Sequence, residues 1–327
     1  MKLRHAADIR TVLWTLVLTP GLVALLYARP EYIPYLWWLS CYFALACGIV
    51  AHNHNHCPTF ANKRMNGVFA NWISIFYGYP TFAWVPTHNL NHHKYVNTAG
   101  DATITWRYTN RHNALVAATY FFVSSYFQAE PINEYIRKAK AKNPALYRRI
   151  LLQYVVWGGA HLGMAALGVA LYGWGQGLLL WLLTMGLPAF FALWTIMLFN
   201  YDQHAHTDPF DEYNHSRSFT GKLLNFLLFN NGFHYVHHEH PGTHWSKLGE
   251  LHWQVHDRIH PSLALKSVWW YWFKQYVLAV FVPRLGTVQL GPGPMHPPDG
   301  PADIATAAVA PADAGTNEAF VIDHATR

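Results

Sequence analysis

Apolar stretches about as long as a bilayer is thick constrain this chain more than any other feature. A hydrocarbon core of about 30 Å is crossed by about 20 residues of α-helix. Residues 11–28, 35–50, 150–172 and 177–199 meet that demand, each flanked by aromatics suited to a membrane interface. They pair as two hairpins, linked at Arg29-Pro30-Glu31 and at Gly173-Trp174-Gly175. Only 12% of the 327 residues are charged and 52% are hydrophobic. Soluble domains carry about 25% charged residues, so the deficit predicts a large lipid-facing surface. Residues 68–85 and 114–127 are shorter, more polar or broken by Pro80, and read as re-entrant or interfacial helices. Residues 267–282, aromatic and carrying Lys274, read as a helix on the bilayer surface.

The basic residues orient the spans. Lys2, Arg4 and Arg10 precede the first; eleven, from Lys63 to Arg149, lie between the second and third; seven, from Arg217 to Arg284, follow the fourth. Of the opposite links only the first holds a cation, Arg29. Excess Lys and Arg mark the cytoplasmic side, so both termini are expected there, in a multi-pass protein of a bacterial inner membrane. The net charge of +6 does not indicate nucleic-acid binding, because the cations flank apolar segments and form no single stripe. The three cysteines, Cys41, Cys47 and Cys57, suggest neither a disulfide scaffold nor a CxxC metal site. The first apolar run ends at Arg29-Pro30 without a small-residue cleavage pattern, so no cleavable signal peptide is expected. From Gly291 onward Pro, Gly and Ala dominate. Residues 1–290 are therefore expected to form one membrane domain and 291–327 a disordered tail.

Four histidine clusters sit just outside apolar stretches: His52-Asn53-His54-Asn55-His56, His88-Asn89-Leu90-Asn91-His92-His93, His204-Ala205-His206 and His234-Tyr235-Val236-His237-His238. The charge distribution puts all of them on one side of the membrane, as a single site requires. Neutral imidazole is the commonest metal ligand at physiological pH. Many imidazoles with few cysteines favour iron over a structural zinc site, with copper and zinc left open by ligand softness alone. His52 and His56, and again His88 and His92, stand four apart and would share a helix face; His93 is adjacent. His234, His237 and His238 would occupy one turn. His204 follows the fourth span, with Asn200 one helical turn earlier. A lone histidine is more often a core or surface residue than a ligand. Two HxxxH pairs and an HxxHH on one side of a membrane protein are hard to reach by chance. His54 and His206 fall off these faces and read as supporting or bystander residues.

On these motifs the chain resembles the integral-membrane fatty acid desaturase superfamily, which also takes in hydroxylases and carotenoid ketolases. The resemblance spans roughly residues 35–251. Its three histidine boxes appear as His52-x3-His56, His88-x3-His92-His93 and His234-x2-His237-His238, the last in the stretch from Asn230 to Pro241. It implies an all-α fold in which a four-helix transmembrane stem is capped by a cytosolic helical domain holding a di-metal site. It also implies metal ligation by His52, His56, His88, His92, His93, His204, His234, His237 and His238, with Asn200 reaching iron through water.

Other signals carry less. His240-Pro241-Gly242-Thr243 is close to a haem-binding HPGG but lies inside the third box, and reads as coincidence. His252, His256 and His260 repeat four apart and read as one solvated or membrane-proximal helix face rather than a second metal stripe. Asp101, Asp208, Asp211 and Glu239 lie near the boxes, where carboxylates orient imidazoles through their second nitrogen, though each reads equally as a surface acid. Trp269-Trp270-Tyr271-Trp272-Phe273 reads as a lipid path or an interfacial belt.

The function expected from the family resemblance is desaturation, the O2-dependent dehydrogenation of a fatty acyl chain at two irons (Fe2+/Fe3+). The chain has no flavin fingerprint, haem domain or cysteine cluster, so a ferredoxin-, rubredoxin- or cytochrome-type electron donor is expected. The rival products are a hydroxylated chain, a terminal alkene formed with loss of the carboxylate, or a keto-carotenoid. From another class, the chain could be a non-catalytic membrane metal carrier or chaperone, but a transporter would place histidines or carboxylates within its spans, where only His161 is found.

Overall fold

A computed structural model describes residues 2–294. The tail expected from Gly291 lies, beyond Pro294, outside the described residues. In chain order the main helices are α1 (Asp8–Ala28), α2 (Pro30–His56), α3 (Lys63–Tyr77), α4 (85–95), α5 (Ala114–Lys142), α6 (Pro144–His204), α7 (Lys222–Leu227), α8 (His234–Glu239), α9 (Leu248–Val255) and α10 (268–281). The strands β1 (Ser218–Phe219) and β2 (Ala264–Leu265) pair in parallel, Ser218 opposite Ala264. The chain divides into two compact units, which among the described residues are 2–85 with 136–196, and 86–135 with 197–294.

Among the described residues three helices, α1, α2 and α6, are long and apolar enough to cross a membrane. The sequence predicts four spans, and α6 accounts for the difference. Gly173, within its 61 residues, has φ +78°, a conformation that costs glycine little. The main chains of Gly168 and Gly177 touch, so that a Cβ on either would collide with the other. On an unbroken helix, residues nine apart would stand about 13 Å apart. α6 therefore turns back at Gly173, and the third and fourth apolar stretches are its two antiparallel arms.

The rest of the first unit packs on these rods. Every residue of α2 from 44 to 52 is buried, as expected of a helix apolar all round. Gly48 leaves room there for the side chains of Tyr77 and Ile196. α3 begins where Asn62 accepts a hydrogen bond from the Met65 amide and ends at Gly78, φ +93°. Trp72 Nε1 donates to Thr15 O of α1 at 2.8 Å, and Tyr172 O–H to Tyr27 O at 2.6 Å. Val23, Tyr27, Leu180 and Met185 form a common apolar cluster.

The second unit holds α4, the first part of α5, the last turns of α6 and everything that follows. α5 runs on to Lys142 through Pro131, well past the predicted 114–127. Trp106, Tyr201, Phe219, Phe229 and Tyr271 are its largest fully buried apolar side chains. Asn97, at φ +62°, pins the loop after α4. Its Oδ1 accepts from the Thr105 amide at 2.8 Å, its Nδ2 donates to His204 O at 3.0 Å, and its carbonyl accepts from Trp106 Nε1 at 2.8 Å. Within 267–282, residues 268–281 are helical, with Trp269, Trp270 and Phe273 exposed and Tyr271 buried.

Candidate metal centre

The second unit gathers four buried imidazoles from three elements: His92 from α4, His204 from the end of α6, and His234 and His238 from α8. One nitrogen from each lies within 4.8 Å of the others. His234 Nε2 is 2.9 Å from His204 Nε2 and 3.0 Å from His238 Nε2. α8 is a short helix, and its i, i+4 spacing stacks His234 over His238.

What lies behind these rings decides which nitrogen faces inward. His92 Nδ1 donates to Asp101 Oδ2 at 2.8 Å, since an ionised carboxylate can only accept. Thr103 donates from its amide and its hydroxyl to Asp101 Oδ1, each at 2.7 Å. Burial alone would raise the Asp101 carboxyl; the His92 ring beside it and these hydrogen bonds outweigh that and hold it at about 2. His204 Nδ1 donates to the His215 carbonyl at 3.2 Å. With Nδ1 protonated in both rings, the Nε2 lone pairs point to the common centre, the tautomer a metal requires. His92 Nε2 is buried without a hydrogen-bond partner among the described residues. Burial, then the neighbouring rings of His93, His234, His92 and His204, push the His238 imidazole far below its ordinary value, so it is neutral with a lone pair to give. Converging buried lone pairs cost free energy unless a cation satisfies them. The donor set fits a metal ion.

A second group forms in the same unit. His93 Nε2 lies 3.1 Å from both His88 Nε2 and His237 Nε2, and the last two are 3.4 Å apart. The two groups abut, with the rings of His93 and His238 4.5 Å apart between centroids. His88 and His92 share a face as expected, their rings stacked 5.2 Å apart between centroids. Residues 85–92 form a π-helix, which also brings residues five apart together, so His88 meets His93 as well, while His92 joins the other group. α8 likewise sends His237 one way and His234 and His238 the other. In the first unit, His52 and His56 at the end of α2 are buried side by side, rings 4.9 Å apart.

The remaining candidates make contacts of their own. Asn200 donates from Nδ2 to Tyr120 O–H at 3.0 Å. His54 contacts Thr59 Oγ1 and Asn66 O, and His206 contacts Thr287 and Asn110 O. Asp101 orients a box histidine, but Glu239 meets His215 at 3.1 Å, and Asp208 and Asp211 accept amides within their own turns. The solvated face expected for His252, His256 and His260 is overturned. His252 is fully buried against Phe233, because α9 packs through Leu248 into the cluster around Val236, and only His260 is exposed. Sequence reasoning missed Thr103, His215, Asn97 and the buried Arg217. Arg217 donates to the carbonyls of Asp202 and Ala205, placing a cation at the negative end of α6. Only Thr103, two residues from Asp101, could have been suspected from spacing.

The described residues combine helices of membrane length with a buried, acceptor-braced nest of imidazoles that could hold a metal ion. The profile of the family described as Fatty acid desaturase matches residues 30–275, and the chain belongs to that family of oxidoreductases. No curated protein and no solved structure matches significantly.

Proposed function

We propose that this protein is a membrane-bound fatty acyl desaturase that carries out O2-dependent dehydrogenation of an acyl chain at a di-iron centre. The observation that carries the reading is the sorting of box histidines into two abutting groups, His88, His93 and His237 against His92, His204, His234 and His238. The family resemblance adds His52, His56 and, through water, Asn200 to the ligand set. Nitrogen-rich ligation with open positions suits non-haem iron. When bound, the irons supply the oxidising power needed to remove hydrogen from an unactivated methylene.

The chain's own residues prepare the site for that chemistry. Asp101 and the His215 carbonyl hold His92 and His204 with their lone pairs inward. Burial keeps His238 neutral and water away, which strengthens electrostatic interactions inside. An all-α, four-rod transmembrane stem with a cytosolic helical cap fits the two arms of α6 alongside α1 and α2, with both termini and all boxes cytoplasmic. Electrons come from a separate ferredoxin-, rubredoxin- or cytochrome-type donor. The acyl chain arrives on coenzyme A, on acyl carrier protein or in a lipid.

Two measurements test the reading. Purified active protein is expected to contain iron, and stoichiometric zinc with no iron would end it. Cells making the protein and fed a perdeuterated fatty acid are expected to accumulate an internally unsaturated chain that has lost two deuterons. A hydroxylated chain, a keto-carotenoid or a shortened terminal alkene would replace desaturation by one of its sister reactions.

A further inference from the structure

Asp202 is fully buried on the last turn of α6, two residues before His204. Its Oδ2 accepts the indole Nε1–H of Trp272 at 2.7 Å. Its Oδ1 accepts the Tyr276 hydroxyl, and His112 Nε2 lies 3.3 Å from the same oxygen. Trp272 and Tyr276 stand four apart on α10 and present one face. The Trp272 ring meets Trp269 edge-on at 5.5 Å between centroids, and Trp269 is 52% exposed. A line therefore runs from the surface through two indoles to the carboxylate of Asp202, whose main chain lies two residues before the box histidine His204 on the same helix.

Packing alone accounts for one hydrogen bond holding α10 to α6. It does not require that both oxidisable side chains of that face place their protons on a single buried carboxylate, with a second indole leading outward. Indole and phenol are among the most easily oxidised side chains. A carboxylate against the indole N–H stabilises the positive charge left when an electron departs, and does so more strongly away from water.

We propose that Trp272, braced by Asp202, and Trp269 form a relay that carries oxidising equivalents from the metal centre to the surface when no substrate hydrogen is within reach. This rests on the di-iron oxidase reading above. One electron leaves the Trp272 ring for the oxidised centre; no bond breaks, and the Nε1 proton stays on the indole, hydrogen-bonded to Asp202. Trp269 then passes an electron to Trp272. The vacancy at Trp269 is filled by an aqueous thiol; two such thiols release two protons and join as a disulfide. The relay spares the histidines from oxidation during unproductive turnover.

The test uses full-length, iron-loaded protein in detergent, turned over with O2 and reductant but without acyl substrate or thiol, then mapped by peptide mass spectrometry. Trp270, 57% exposed on the same helix, is the internal control. Oxygenated tryptophan is expected to be several-fold enriched at Trp269 over Trp270, and an added thiol is expected to suppress the excess. In Trp272→Phe the excess at Trp269 disappears and oxidised histidine appears in the boxes. In Trp269→Phe, a change at a half-exposed ring, oxidation stops at Trp272. Equal oxidation of Trp269 and Trp270 in the unaltered protein overturns the relay, as does a Trp269 excess that survives in Trp272→Phe. Iron-dependent oxidation of the histidines with Trp269 at the control level overturns the relay alone. Absence of any iron-dependent oxidation overturns it together with the di-iron reading.

Discussion

His88 and His93 meet through Nε2 atoms 3.1 Å apart, although an α-helix would point residues five apart about 140° away from each other. The π-winding of residues 85–92 makes the contact. His93 is thus part of the group with His88 and His237, and His93→Ala is expected to lower the bound metal content while leaving His92, His204, His234 and His238 able to hold an ion. His54→Gln, outside both groups, is expected to retain full content. Elemental analysis of the two purified variants decides, and equal contents would remove His93 from the ligand set.

Asp101 meets the centre through its hydrogen bond to His92. Removing such a carboxylate behind a ligating imidazole typically weakens metal binding about 10- to 100-fold. Asp101→Asn keeps the size but can turn an amide N–H toward His92 Nδ1, so competition against a chelator is expected to show a loss of that order. Unchanged chelator resistance would mean that Asp101 only shapes its loop.

The hairpin in α6 depends on two glycines. A methyl group at residue 177 would run into the main chain at Gly168, which cannot move as a side-chain end can. Overpacking of this kind costs about 1–3 kcal/mol, so Gly177→Ala is expected to lower the melting temperature in detergent. Gly175→Ala, where a Cβ meets nothing within 4 Å, is the control. Equal melting of both variants would contradict the close approach.

Acid should loosen the second unit through His112. Burial pushes its imidazole down from 6.5 to about 4, with Asp202 pulling the other way. A folded value below the unfolded one means that the stabilisation is complete above about pH 6.5 and is lost as the pH falls toward 4, up to ~3 kcal/mol. Thermal unfolding measured across that range is expected to show the decline, and His112→Gln is expected to flatten it. A parallel decline in the variant would assign the effect to other groups.

Much of this protein is written locally along its sequence. Apolar length marks the rods, Gly173 marks the reversal in α6, and the box spacings mark the chemistry, because hydropathy, backbone freedom and covalent spacing belong to short segments. Burial of an imidazole and the partner of its second nitrogen belong to no segment. His252 looked solvated until α9 was packed on α8. Asp101 was one of four candidate acids until the loop held by Asn97 set it behind His92. His215 contributes through its carbonyl, which no residue type reveals. The winding of α4 is the sharpest case: the π-turn of residues 85–92, which local preference alone would not choose, brings His93 against His88, a pairing five apart that an α-helical reading would not select.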